Sequence, residues 1–250
     1  MSSYLITGSS RGLGLQIVTE LLKTPSSKVI ATARNTKKSA GLQDLAAQYP
    51  TDRLVLVDLD VTSETSIAAA VEAVSKILPG GLDHLISNAG VNDLALIPFE
   101  EVDLTLFKEE IDFSLISTIL LLRGFLPLVK KSSTKKIIQI SSVLGSVELA
   151  GYMPGLTPTY SVGKAALNML IRKWGASLKN EGVTTLLAHP GWVKATDIGG
   201  AIAEWMEKYA PETKSVTPEE AAAGVVKVLN EKTFEDSGSF FNYDGTKLPW

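Results

Sequence analysis

Tyr160 and Lys164 stand four residues apart in the run Tyr160-Ser161-Val162-Gly163-Lys164, which opens a segment whose pattern predicts a helix. Four residues is close to one helical turn, so both side chains fall on one face. An ammonium one turn from a phenol favours the ionised phenol, and the Tyr160 pKa is expected to fall. A tyrosine tuned in this way exchanges a proton with a substrate oxygen near neutral pH. A plain surface pair has the same spacing, so the rest of the chain must decide between the two.

Thr7-Gly8-Ser9-Ser10-Arg11-Gly12-Leu13-Gly14 joins a strand-like run to a helix-like one. Glycines there let the backbone turn tightly and approach a pyrophosphate, while the helix N-terminus favours the anion. The spacing is G-x-x-x-G-x-G, which is neither G-x-G-x-x-G nor a G-x-x-x-x-G-K-[ST] phosphate loop. About twenty residues further on, NAD sites commonly place an acid on the ribose 2′-hydroxyl. Here the stretch reads Ile30-Ala31-Thr32-Ala33-Arg34-Asn35, with an arginine and no acid at its tip. Arg34 and Arg11 are suited to a 2′-phosphate, so NADP(H) is expected over NAD(H). Asp60, in Asp58-Leu59-Asp60-Val61, has two readings: a hydrogen bond to the adenine amine, or a cap for the next helix.

These groups need a frame. Short apolar runs rich in Val, Ile and Leu, at 4–7, 28–33, 53–57, 84–87, 136–140 and 184–188, read as buried parallel strands. Helical patterns fall between them, at 13–22, 37–48, 63–78, about 104–129 and about 159–178. A last helix follows Thr217-Pro218-Glu219-Glu220, with Thr217 as cap and Pro218 in the first position. Alternating strands and helices predict a single-domain α/β fold over 1–250, a doubly wound Rossmann-type parallel sheet with helices on both faces. The segment 195–215, with Ile198, Ile202, Trp205 and Met206, reads as an insertion beyond a strand end. Ligands bind beyond the carboxyl ends of such strands, so it is expected to cover a substrate.

The chain has 250 residues, 45% hydrophobic and 20% charged, with a formal net charge of -3. Without a basic excess, nucleic acid is an unexpected partner. There is no cysteine, which excludes disulfides, thiolate metal sites and cysteine nucleophiles. His84 and His189 are the only histidines, and no metal-ligand spacing or G-x-S-x-G elbow is present. No leader pattern precedes the first strand, the C-terminal Lys247–Trp250 matches no retention signal, and the apolar runs read as shorter than a membrane span. A cytoplasmic protein with no membrane partner is the expectation.

Thr7–Gly14, Asp60-Val61, Asn88-Ala89-Gly90, Ser141-Ser142, Tyr160-x3-Lys164 and Pro190-Gly191 occur in the order and spacing of the short-chain dehydrogenase/reductases, and the chain resembles that family over its whole length. Within the family it is similar to the sniffer-like carbonyl reductases and the fungal ketoreductases, through the ending Ser237–Gly245 and Pro249-Trp250. The resemblance implies that Tyr160 is the general acid of carbonyl reduction. Ser142, with Ser141 as fallback, would hold the oxygen, and Lys164 would bind the nicotinamide ribose and lower the tyrosine pKa. It places NADP(H) against Gly8, Ser10, Arg11, Gly12, Leu13, Gly14, Arg34, Asp60 and Val61. It also places Asn88, Ala89, Gly90, Pro190, Gly191, Val193 and Thr196 along the cofactor groove.

The family usually has an asparagine in the long helix, supporting a water that links the lysine to solvent. Counting from Asn88 puts Asp112 there, and it is expected to hold the water or pair with Lys164. Val143, Leu149, Tyr152 and Met153 are expected to wall the substrate pocket, with Trp192, Ile202, Trp205 and Met206 covering it. The implied activity is NADPH-dependent reduction of small to medium apolar ketones or aldehydes. The same site would serve an NADP-dependent alcohol dehydrogenase, and a non-catalytic NADPH sensor is the reading Asp112 alone favours. The family implies a homodimer or homotetramer through the two long helices.

Overall fold

The computed structural model describes residues 1–250. Its strands are β1 Ser2–Ile6, β2 Ser27–Ala33, β3 Leu54–Asp58, β4 His84–Ser87, β5 Lys136–Ile140, β6 Thr184–His189 and β7 Ser239–Asn242. They form one seven-stranded sheet in the order β3-β2-β1-β4-β5-β6-β7. Every pairing is parallel. The order reverses between β1 and β4, and that opening is where a doubly wound sheet receives its ligand. Six of the strands follow the apolar runs of the sequence. β7 does not stand out there, because its four residues carry only Phe240 and Phe241 as apolar signal.

Alternation along the strands builds two cores. Leu5, Leu85, Ile137, Leu187 and Phe240 face one way. They meet α3 (Glu64–Ile77), α5 (Thr118–Lys131) and α6 (Pro158–Lys179) through Ile67, Phe125 and Leu167. Tyr4, Ile6, Ile86, Ile138, Leu186 and Phe241 face the opposite way. They meet α1 (Gly12–Leu22) and α9 (Pro218–Glu231) through Ile17, Val18, Val225 and Val228. Neighbouring residues of a strand point to opposite faces, so a sheet covered on both sides must be apolar at nearly every position. That is why the runs show little alternation in sequence.

Local signals hold at several helix ends. The Thr217 hydroxyl accepts from the Glu220 N–H at 3.1 Å, and the Glu220 carboxylate accepts from the Thr217 N–H at 2.8 Å. This capping box starts α9. Ser63 caps α3 through the Ser66 N–H. The pattern at 37–48 divides into a single 3-10 turn, Thr36–Lys38, and α2 (Ala40–Gln48).

The long pattern from 104 also divides. α4 (Leu104–Asp112) passes through one π turn, Phe113–Ser117, into α5. Taken together, Leu104–Lys131 is long and apolar enough to cross a membrane, which corrects the expectation that every apolar run falls short of that length. Its Leu121, Leu122, Phe125, Leu128 and Val129 are buried in the core beside the sheet. Beyond β6 the chain forms two short helices, α7 (Asp197–Gly200) and α8 (Ala203–Tyr209).

Candidate active site

A cleft of about 750 Å³ opens beyond the carboxyl ends of β1, β4, β5 and β6. Its nucleotide arm is the turn between β1 and α1. Gly8 and Gly12 have φ of +67° and +56°, a region L side chains rarely adopt. Gly14 has a different reason. A Cβ there would lie 2.3 Å from the Gly8 carbonyl oxygen and 2.6 Å from Asn88 Nδ2. Asn88 donates from Nδ2 to the carbonyls of Thr7 at 2.9 Å and Gly8 at 3.2 Å, so the end of β4 braces the glycine turn. α1 starts at Gly12 without a side-chain cap, which leaves its first N–H groups facing the cleft mouth. The bare glycine cradle and these N–H groups fit a dinucleotide pyrophosphate.

Arg11, Gly12, Leu13, Gly14, Asn88, Ala89, Gly90, Pro190, Gly191, Val193 and Thr196 all border the cleft. Ser10 sits behind the turn, its carbonyl accepting from the Ser39 hydroxyl at 2.9 Å. The Val61 side chain is buried in the core with Leu59 and Ile67. Asp60 uses one carboxylate oxygen for the Thr62 N–H at 3.0 Å and the Thr62 hydroxyl at 2.7 Å. These bonds lower its pKa, with a smaller contribution from nearby Arg34. The cap of α3 is Ser63, so the capping reading of Asp60 is set aside. Arg34 is exposed at the tip of β2, and Arg11 forms an ion pair with Asp197 at 2.7 Å.

The chemical arm is the inner end of the cleft. β5 ends at Ile140, and the two serines that follow diverge. The Ser141 hydroxyl is bound to Asn168 Oδ1 on α6, and Asn168 Nδ2 donates to the Gly145 carbonyl at 3.1 Å. Ser142 faces Tyr160 and also caps the short turn Val143–Gly145. Both serines border the cleft, but the Ser141 hydroxyl is committed to Asn168 on α6, while the Ser142 hydroxyl faces Tyr160. Gly145 must be bare, since a Cβ would come within 2.7 Å of the Lys164 backbone. Gly145 and Asn168 thus set the distance between the serine turn and α6. Neither is evident from sequence, because each acts through a contact about twenty residues away.

Tyr160 and Lys164 share the inward face of α6 and are both buried. Lys164 Nζ lies 5.4 Å from the centre of the Tyr160 ring and donates to the Ile140 carbonyl at 3.3 Å. The expected lowering of the Tyr160 pKa does not occur in this arrangement. Burial pushes the phenol above its ordinary value, the Ser142 hydroxyl pulls it down, and the Glu110 carboxylate pushes it up. Burial also lowers Lys164 to about 8. Desolvation disfavours the charged form of both groups, and the flap over the tyrosine has greater weight than a single neighbour one turn away.

Asp112 does not reach the site. Its side chain is 52% exposed and lies 3.7 Å from Lys108, one turn earlier on α4. The α4 face that meets α6 is formed by Ile111 and Ser114: a Cβ at Gly163 would lie 3.3 Å from Ser114 Oγ and 3.8 Å from Ile111 Cδ1. Asp112 follows Ile111 by one residue and so points about 100° away around the helix. Counting along the chain from Asn88 does not resolve which face of the helix meets α6, and Asp112 falls one residue past it.

Apolar side chains close the chemical arm. Leu144, Leu156, Tyr160, Ile202 and Met206 form one buried cluster, with Val143, Met153, Trp192, Ile198 and Trp205 packed against it. Tyr152 also borders the cleft, and Leu149 does not. Leu149 sits behind it, its N–H donating to the Ser146 hydroxyl at 3.3 Å. Trp192 is anchored by its indole N–H to the Gly199 carbonyl at 2.9 Å, which ties the β6 end to α7. His189 is half-buried at the cleft, and desolvation lowers it to about 4, so it is neutral near pH 7.

The short chain dehydrogenase family matches residues 3–207 of this chain. The chain belongs to that family. Family membership makes it an oxidoreductase, and the sheet order and the Ser142–Tyr160–Lys164 arrangement agree with it. Among curated relatives, the short-chain dehydrogenase srdF of Neurospora crassa is 37% identical over 98% of this chain and 96% of its own length. Among solved structures, the NADPH-bound carbonyl reductase from chicken fatty liver has a TM-score of 0.88 at 35% identity, covering 100% of this chain and 99% of that one. The carbonyl reductase Sniffer of D. melanogaster has the same TM-score of 0.88 at 27% identity, covering 100% of both chains.

Proposed function

We propose that this short-chain dehydrogenase reduces ketones or aldehydes to alcohols with NADPH. The observation that carries the reading is the convergence of Ser142, Tyr160 and Lys164 at the apolar end of a cleft whose other end is the glycine cradle. When bound, the reduced nicotinamide supplies hydride to the carbonyl carbon. Tyr160 donates its phenolic proton to the carbonyl oxygen as charge develops there. The Ser142 hydroxyl donates a hydrogen bond to the same oxygen and holds it beside the tyrosine. The Lys164 ammonium, present below about pH 8, offsets the charge left on the phenolate. Leu144, Ile202, Met206 and Trp205 exclude water and favour an apolar group next to the carbonyl.

Burial keeps Tyr160 protonated near pH 7, the form that donates a proton in carbonyl reduction. The sensor reading loses its only support, because Asp112 lies away from Lys164. NADPH is preferred over NADH on the strength of Arg11 and Arg34 at the adenosine end and of the absence of an acid at the β2 tip. The test is loss of reduced-nicotinamide absorbance across ketones, aldehydes and α-dicarbonyls with each cofactor. Turnover preferring NADPH is the expected result. Preference for NADH would overturn the cofactor reading, and an inert protein that still binds NADPH would overturn the reaction.

We also propose a homodimer built on the long helices. Ile116, Val162 and Met169 are exposed apolar residues there, at 49%, 42% and 61%. Light scattering after size exclusion decides it: a monomer mass overturns the proposal.

A further inference from the structure

Glu110 is an acidic side chain outside the cleft lining that acts on Tyr160 only by raising its pKa, yet it is only 5% exposed. It sits near the end of α4, on the turn whose Ile111 and Ser114 meet Gly163 of α6, between Tyr160 and Lys164. Its Oε1 accepts from two successive backbone N–H groups, Asp93 at 2.7 Å and Leu94 at 3.1 Å. Its Oε2 is buried with no partner. A buried carboxylate with one idle oxygen is costly, and two N–H bonds offset that cost only in part.

The loop it binds belongs to the cleft. Val91, Asn92 and Asp93 line the cleft wall, Leu94 is buried, and Leu96 packs on the cluster around Tyr160. Leu96 has φ of +63°, a strained backbone position for a branched side chain. Such a conformation persists only where neighbouring contacts hold it. Glu110 supplies two of those contacts from a helix that is itself seated against the catalytic turn.

We propose that Glu110 is a positioning residue for substrate: its carboxylate pins the loop 91–97, which places Val91, Asn92 and Asp93 as one wall of the cleft and seats Leu96 on the apolar cluster around Tyr160. The proposal rests on the reductase reading for its kinetic consequence, while the pinning itself does not. Glu110→Gln retains an oxygen acceptor for the Asp93 and Leu94 N–H groups and removes the buried charge. Glu110→Ala removes both.

The experiment compares the two variants in kinetics and in hydrogen exchange of the segment 91–97. Glu110→Ala is expected to raise KM for the best ketone about tenfold, with kcat and the Kd for NADPH within about threefold of the parent. Glu110→Gln is expected to restore KM. Amide exchange in the segment should speed up in the alanine variant only. An unchanged KM in the alanine variant, a rise in NADPH Kd matching the rise in KM, or a glutamine variant as impaired as alanine would each overturn the proposal. If the parent reduces no carbonyl, the function reading fails by itself. Exchange then decides the pinning: slow exchange retained in Glu110→Ala overturns it, and fast exchange there with protection in Glu110→Gln supports it. A melting curve matching the parent excludes global unfolding as the cause.

Discussion

Arg11 in the glycine turn is ion-paired with Asp197 at the start of α7, 2.7 Å apart, although both side chains are more than 70% exposed. The pair spans the mouth of the cleft from the cofactor cradle to the flap. A 2′-phosphate and the Asp197 carboxylate would compete for the same guanidinium. Asp197→Asn is therefore expected to tighten NADPH about two- to fivefold at low salt, with the gain shrinking as salt rises. Arg11→Gln should weaken NADPH about tenfold and leave NADH unchanged. Fluorescence titration with each cofactor checks both; equal effects on NADH would show that Arg11 does not read the phosphate.

Tyr160→Phe is expected to lower kcat by about three orders of magnitude, since the Ser142 hydroxyl hydrogen-bonds the carbonyl oxygen but is too weak an acid to protonate it. NADPH binding should change less than about threefold. Single-turnover absorbance alongside cofactor titration separates the two effects, and turnover near the parent rate would remove Tyr160 as the acid.

The two serines should part in a direct way. Ser142→Ala is expected to lower kcat about a hundredfold with little change in melting temperature. Ser141→Ala leaves Asn168 Oδ1 buried without its donor, at a cost of about 1–3 kcal/mol, with activity largely kept in the folded fraction. Denaturant melts and kcat on the same preparations test the assignment. A silent Ser142→Ala and an inactive, stable Ser141→Ala would reverse it.

Lys164 is a case of function opposing stability. Its folded pKa of about 8 lies below the ordinary 10.5, because burial disfavours the charge. Between pH 8 and 10.5 the unfolded chain binds the extra proton, so stability rises with pH across that window. Below it the ammonium is buried at a cost. Lys164→Met is expected to unfold at higher denaturant at pH 7, by an amount on the order of 2–3 kcal/mol, while losing turnover. The gain should shrink through pH 8 to 10.5 and vanish above it. A variant less stable at pH 7 would show that the bond to Ile140 has greater weight than the burial.

His84 predicts the acid limb. It stacks on Tyr4 with ring centres 4.4 Å apart, donates from Nδ1–H to the Ser3 carbonyl at 3.2 Å, and is lowered to about 4 by burial. The unfolded chain binds a proton near pH 6.5 that the folded chain refuses until about 4, so stability falls on acidification through that window. His84→Phe should keep the stack and flatten this part of the pH–stability curve. A curve as steep as the parent's would assign the acid loss to other groups.

What could be read from residue order was whatever depends on near neighbours. Strand runs are apolar at nearly every position because both sheet faces are covered, and six strands were legible on that ground. The glycine turn, the Thr217–Glu220 cap and the Tyr160–Lys164 spacing are local geometry and came through unchanged. The family motifs, being short and in order, were legible too. β7 was not, since four residues carry too little pattern. Asp112 was misplaced because counting along the chain does not tell which helix face meets α6, and that face carries Ile111 and Ser114. The side-chain burial of Val61, the division of labour between Ser141 and Ser142, and the grip of Glu110 on Asp93 and Leu94 all depend on elements remote in the chain. So does the sign of the Tyr160 shift. Spacing placed a cation near the phenol, but the flap that closes over both comes from residues some forty positions later. A pKa is set by all the matter around a group, and only the folded chain brings that matter together.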